Sequence, residues 1–235
     1  MRVVVMSDIH GFSLALDTVI ADMEAIADID VVVIAGDLCE VGPDPMGVLD
    51  RLRSHPDWIV LKGNTDDDIV ASELGGNVAY AVSEIGREGV EWLASLPFSH
   101  RIHPPGHPDD ARSLLVAHAN PHDLRGRLDP TASDDQLRDT IGDAVFQTLA
   151  FGHVHISYQR QLDGRQLVDV SAVGNPKDGD LRCAYGIMNW DEAANGWLAE
   201  IRRLDYPLMA TLEQIQSSGL PNPDKVARVL QRASY

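Results

Sequence analysis

Residues Val3, Val4, Val5 and Met6 form an almost uninterrupted apolar, largely β-branched run, the pattern of a strand buried on both faces. The run ends abruptly in polar chemistry, with Asp8 and His10 two residues apart and Gly11 freeing the backbone to turn. If the chain stays extended there, both side chains point the same way. The pattern then recurs. Asp30 to Ala35 runs into Gly36-Asp37, Trp58 to Leu61 into Lys62-Gly63-Asn64-Thr65-Asp66, Ser113 to Ala117 into His118, and Val145 to Phe151 into Gly152-His153-Val154-His155. Open α/β sheets place ligand sites at the carboxyl ends of such strands, so the recurring tips point to one shared site.

The segments between the strands are helical. Leu14, Leu16, Val19, Ile20, Met23, Ile26 and Ala27 recur at three- and four-residue intervals, and Met46 to Arg53 reads as a second helix. Two apolar strands joined by a helix make a parallel βαβ unit. One or two short helices are expected between Asp67 and Glu84, broken at Gly75-Gly76, then another from Arg87 to Leu96, stopped by Pro97. Phe98 to His103 reads as an edge strand. A long loop after His118 leads to Ser133, an N-cap for a helix through Ile141.

Beyond residue 155 the pattern changes. Ile156 to Leu162 and Arg165 to Val170 flank Asp163-Gly164, and Ala184 to Trp190 and Gly196 to Leu204 flank a turn at Asn195-Gly196, which are hairpin signals for an antiparallel or mixed sheet. Terminal helices are expected from Pro207 to Ser217 and Asp224 to Ala233. The 235 residues suffice for one sizeable core and contain no linker, so a single domain over 1–235 is expected, its C-terminal helices starting near 207.

A net charge of -17 disfavours a stable nucleic-acid complex, though not a phosphoester held at a cationic metal site. The two cysteines, Cys39 and Cys183, give no disulfide framework and read as small, partly buried residues. The N-terminus enters the first strand without a basic region or cleavage site, and no apolar run approaches the roughly 20 residues of a membrane span. A cytoplasmic protein without membrane association is expected, with its oligomeric state open.

The strand tips supply seven candidate ligands: Asp8, His10, Asp37, Asn64, His118, His153 and His155. All offer nitrogen or oxygen, a set that suits divalent Mn, Fe, Co, Ni or Zn. Seven exceeds what one ion with open positions can use, and matches two ions sharing a carboxylate. The glycines before Asp37, Asn64 and His153 let the backbone come close to a crowded centre.

With these five motifs in this order, the sequence resembles the calcineurin-like metallophosphoesterase superfamily over about residues 1 to 190. The resemblance implies an α/β fold, a four-layer αββα sandwich of two mixed β-sheets flanked by helices, with a dinuclear site at one sheet edge. It implies that Asp8, His10 and His155 hold the first ion, that Asn64, His118 and His153 hold the second, and that Asp37 bridges them. Two such ions, manganese foremost, generate a bridging hydroxide and clamp an in-line displacement at phosphorus. The implied substrate is a small phosphoester or nucleotide, and the implied activity that of a phosphodiesterase. The alternatives are a protein or small-molecule phosphomonoesterase and a metal-containing module that senses a nucleotide without turnover.

One departure stands out. Many superfamily members carry Gly-Asn-His at the third motif, and that His serves the leaving oxygen or the transition state; here the position is Thr65, although the following Asp is retained as Asp66. General acid catalysis is typically worth about 10²–10⁴-fold, so another donor or a good leaving group is expected. His122, four residues after His118, is the nearest candidate in sequence. Asn64 and Thr65 are candidates for substrate contact, as are Lys177 and Arg182 in the stretch Gly174 to Arg182, the latter by a bidentate fork. His100, His103 and His107 read as surface residues, the four tryptophans as packing residues, and Asp66-Asp67-Asp68 as a solvated helix start.

Overall fold

The computed structural model describes residues 1–71 and 75–234. Two five-stranded mixed sheets lie face to face. The first has the order β10-β9-β1-β2-β3, with β1 (Arg2–Met6), β2 (Val31–Ile34) and β3 (Ile59–Val60) parallel, and β9 (Cys183–Asp191) and β10 (Gly196–Leu204) antiparallel. The second has the order β4-β5-β6-β8-β7. Its parallel centre is β5 (Leu114–Ala117), β6 (Thr148–Phe151) and β8 (Arg165–Asp169), and its antiparallel edges are β4 (Ser99–Ile102) and β7 (Tyr158–Leu162).

Side chains alternate across a strand, and the first run uses both of its faces. Val3 and Val5 join Val33, Leu114, Val116, Ala150 and Val168 between the sheets. Val4 and Met6 face the other way, into a core shared with α1 (Ser13–Glu24), α2 (Pro45–Arg53), α4 (Gly76–Ser95), α6 (Leu208–Ser217) and α7 (Pro223–Arg232). On the far side, Leu115, Leu149, Phe151 and Leu167 pack under α5 (Asp134–Ile141). The layers are therefore αββα.

Local chemistry sets the element ends. Asp44 caps α2 by accepting from Gly47 N at 3.0 Å, with Pro45 preorganising the first turn. Ser133 caps α5, as the sequence indicates, and with Gln136 it forms a capping box. The helix boundary read between Glu84 and Arg87 falls where Gly86 leaves helical geometry, at φ 62° and ψ -174°, so two helical stretches meet at a kink within α4. The break expected at Gly75-Gly76 adjoins residues 72–74, which lie outside the described residues; on either side are α3 (Asn64–Ala71) and α4. The two late hairpins also build no sheet of their own: β7 and β8 extend the second sheet and β9 and β10 the first. Cys39 and Cys183 are fully rather than partly buried, and unpaired. No helix among the described residues is long and apolar enough to cross a membrane.

The carboxyl ends of β1, β2, β3, β5 and β6 all deliver their loops to one edge of the sandwich. Pairing persists past the strands: His10 N donates to the Asp37 carbonyl at 2.9 Å, and Gly152 N to the His118 carbonyl at 3.0 Å. Every polar tip read from the sequence arrives at that edge.

Candidate metal centre

Asp8 and His10 converge, but not through extended backbone. Both adopt left-handed conformations, φ 56° and 52°, as do Asp37, His153 and His155 at 56°, 68° and 57°. A non-glycine residue there is uncommon, with Asp and His among the better tolerated, and clusters of such residues mark sites held by the surrounding structure. With Ile9 packed into the core between them, Asp8 and His10 turn inward together, and His10 Nε2 lies 3.6 Å from Asp8 Oδ1.

Close backbone approach makes room for this. A Cβ on Gly152 would lie 2.1 Å from Asp8 Oδ2, and one on Gly63 would lie 2.1 Å from Asp37 Oδ1. The glycines preceding His153 and Asn64 thus let neighbouring loops meet the carboxylates.

Four imidazoles share one device. His10 Nδ1 donates to the Glu40 carbonyl at 3.0 Å, His118 Nδ1 to that of Ala35 at 2.8 Å, His155 Nδ1 to that of Asn175 at 2.6 Å, and His153 Nε2 to that of Arg125 at 3.1 Å. A carbonyl only accepts, so each of these nitrogens carries the proton and the opposite one turns to the centre, as in a ligating histidine. His10 Nε2 and His155 Nε2 face each other at 3.2 Å, and His155 Nε2 lies 2.9 Å from Asp8 Oδ1. His118 Nε2 lies 2.9 Å from Asn64 Oδ1 and 3.4 Å from Asp37 Oδ1.

The electrostatics call for cations. Burial would raise the Asp8 carboxyl, but the charge of His155 and the close imidazoles of His155 and His10 hold it well below the usual range. Burial would lower His10, yet the neighbouring carboxylates of Asp8 and Asp37 push it up to about 9. Protons cannot meet the demand, because two N–H groups cannot point at each other across 3.2 Å. Metal ions can, and the donors fit them: Asp8, His10 and His155 form one compact group of potential ligand atoms, and Asp8, Asp37 and His118 another. His153 is held below its ordinary value by burial and by His118, which favours the neutral imidazole a metal requires. Asn64 opens α3, and the His153 ring lies edge-on to His118 at 5.1 Å between centroids.

The remaining candidates fall in different places. Thr65 is buried beside the centre: its backbone N–H donates to Asp37 Oδ1 at 2.9 Å, and its hydroxyl has no partner among the described residues. Lys177 donates to Asn175 Oδ1 at 2.8 Å, next to the carbonyl that orients His155. Burial lowers its ammonium to about 8. Arg182 is exposed and forks onto Asp180, 2.7 Å away, so the structure does not bring it to the centre. His122 is exposed too, with Nε2 on the Ile141 carbonyl at 2.7 Å, beside the C-terminus of α5. Its closeness to His118 in sequence does not carry over into space, because the intervening loop turns back on Asn120, whose side chain accepts from His122 N and Asp123 N.

Sequence reasoning missed Asp66. It is fully buried, not solvated, and accepts from the backbone N–H groups of Asp37, Leu38 and Gly63 at 2.8–2.9 Å, tying the second motif to the third. The usable signal was its place directly after the ligand tip, which the run of three acids obscured. Asp67 and Asp68 face Arg125 instead.

In fold, the chain is similar to a metallophosphoesterase from Sphaerobacter thermophilus, at 21% identity, TM-score 0.78 and 99% of each chain. It is similar to a hypothetical protein from Pyrococcus horikoshii at 16% identity and TM-score 0.83 over 97% of each chain. It is also similar to the phosphoesterase Yfce from E. coli, at 20% identity and TM-score 0.52 over 81% of this chain and 90% of that one. No curated protein matches it. Residues 1–193 match the calcineurin-like phosphoesterase superfamily domain, and the chain belongs to that metal-dependent superfamily.

Proposed function

We propose that the protein hydrolyses phosphodiesters at a centre of two divalent ions, manganese foremost. The position of Asp37 carries the reading. Its Oδ2 lies 3.6 Å from His10 Nε2 and its Oδ1 3.4 Å from His118 Nε2, so one carboxylate reaches toward both sets of imidazoles. Asp8, His10 and His155 would hold the first ion, Asn64, His118 and His153 the second, and Asp37 would be shared between them.

When bound, such a pair supplies a water-derived nucleophile at neutral pH and stabilises charge during in-line displacement at phosphorus. The residues of the chain fix its geometry: four carbonyls aim the imidazoles, and Asp66 and the Thr65 amide hold Asp37 in place. In the reaction a water oxygen joins phosphorus, the P–O bond to the alcohol breaks, and the alcohol departs with a proton. Thr65 offers no titratable group for that proton, and His122 is turned to α5. Esters with good leaving groups are therefore the better substrates.

Protein loaded with Mn²⁺ should hydrolyse bis(4-nitrophenyl) phosphate, and chelation or Asp37→Ala should abolish the activity. Turnover that survives both treatments would sink the reading, as would no turnover by the fully loaded protein.

A further inference from the structure

The edge strands of the two sheets are not alike. β3, β4 and β7 are short, with two, four and five residues, while β10 runs for nine. Sheet edges are ordinarily blunted by short strands, bulges or proline, because their open backbone groups can pair with another strand. β10 carries none of these devices. Its register against β9 is unbroken from Gly196 opposite Asp191 to Leu204 opposite Cys183, it contains no proline and no positive φ, and its Leu198 is 52% exposed.

The phase of the ladder fixes which residues face outward. Trp190 N donates to the Met1 carbonyl at 2.8 Å, so Trp190 is turned toward β1 and away from β10. Opposite residues in an antiparallel pair either exchange both bonds or both turn away. Trp197, opposite Trp190, therefore turns its N–H and C=O outward, as do Ala199, Ile201 and Arg203. The side-chain amide of Gln159 reaches the Ala199 carbonyl from that outer side, at 3.2 Å, and leaves the carbonyl a second lone pair. Among the described residues no strand pairs with this side of β10.

For a second copy lying antiparallel across a two-fold axis, phase and charge select one register. The axis must pass an outward-facing residue. At Ile201, that residue exchanges both bonds with its own counterpart, and Ala199 does so with Arg203 of the other copy. On the helix-side face the same register sets Glu200 opposite Arg202 and Leu198 opposite Leu204, two favourable kinds of cross-strand pair. An axis at Arg203 would oppose two arginines, and one at Ala199 would set Glu200 against Leu198. The charges are available for this pairing. Glu200 is exposed, and Arg202 places Nε and Nη2 on Asp22 at 2.8 and 2.9 Å while Nη1 lies 3.9 Å from Glu200 of its own chain, beyond hydrogen-bond distance.

We propose that β10 pairs with the β10 of a second copy of this chain about a two-fold axis at Ile201, joining two five-stranded sheets into one continuous sheet. Because β10 runs parallel to β1 through the antiparallel β9, this pairing turns the metal edges of the two copies to opposite ends of that sheet.

Sedimentation equilibrium of the full chain should show a concentration-dependent dimer. Glu200→Arg, at an exposed position, should weaken it about tenfold by turning the facing opposite charges into like ones. Cysteine cross-linking reads the register. Ile201→Cys brings two Cα atoms to about 5.5 Å, within disulfide reach, whereas Leu198 and its own counterpart lie roughly 20 Å apart along the strands. Mild oxidation should link Ile201→Cys and leave Leu198→Cys, the more exposed thiol, unlinked; Cys39 and Cys183 are buried and do not compete. Urea unfolding of each variant checks that it folds. A monomer at every concentration, a dimer indifferent to Glu200→Arg, no link through residue 201, or a link through residue 198 in its place would overturn the proposal.

Discussion

The two sides of the centre are built differently. On the side proposed for the first ion, Asp8, His10 and His155 are 0%, 4% and 7% exposed, all three are left-handed, and the carbonyls aiming the imidazoles belong to loops packed against the sheet edge. On the side proposed for the second ion, His118 is buried at a strand end, but Asn64 and His153 are only half-buried. Moreover, the carbonyl aiming His153 comes from Arg125, in an exposed turn closed by Asn120 and Asp123. One side is fixed by the core and the other is hung from a surface loop. The first side should therefore hold its ion more rigidly, and the second should exchange metal and meet solvent more readily.

The largest expected effect comes from Asp8→Asn. Even outer-shell changes cost about 10–100-fold in metal affinity, and loss of a ligand charge should cost the first ion at least that much. Elemental analysis after dialysis should fall from two Mn²⁺ per chain toward one. Equal loss of both ions, or no loss, would break the comparison. Gly152→Ala probes the packing behind the same side, where a Cβ would meet Asp8 Oδ2 at 2.1 Å and Ser7 Oγ at 2.2 Å. Overpacking of this kind costs about 1–3 kcal/mol, to be read from urea unfolding of the chelated protein. An unchanged midpoint would show that the loops yield more easily than their burial implies.

Asp66→Asn tests the clamp between the sides. Burial, with the charge of Asp37, pushes the Asp66 carboxyl up to about 6 from an ordinary 3.8, against hydrogen bonds from Leu38 and Gly63. The folded chain therefore takes this proton more readily than the unfolded chain. Its favourable contribution is complete below the unfolded value and is lost as pH rises through about 6. The stability of chelated wild type relative to Asp66→Asn should fall between about pH 4 and 6 and level off above. A difference that is flat with pH would contradict this assignment. The smallest effect belongs to Arg125→Ala, which breaks a surface pair with Asp68 at 2.6 Å but leaves the residue's carbonyl in place. About 0.2–1 kcal/mol of stability should go, with second-ion affinity nearly unchanged. A large loss of that ion would mean that the loop is held by the guanidinium and not by Asn120 and Asp123.

The sequence reading reached the residues gathered at this edge because each stands within a few residues of an apolar strand end, where buried strands and abrupt polar tips are local signals. The order of the motifs followed from the same runs, and the αββα layering from the family resemblance those motifs carry. What it could not reach depends on distant backbone. The left-handed turns at Asp8 and Asp37 arise where two loops keep pairing beyond their strands, and no single segment encodes them. Asp66 looked like one of three helix-start acids because its burial is decided by the second motif packing over it. His122 was drawn toward the centre by sequence distance alone.

The four acceptors that aim the imidazoles belong to the main chain of Ala35, Glu40, Arg125 and Asn175. A carbonyl survives almost any exchange of the side chain attached to it. The side chains at these positions can therefore drift, altering the charge and shape of the rim, while the aim of the rings is inherited unchanged. Such a centre can acquire new substrates one surface residue at a time without first having to rebuild its chemistry.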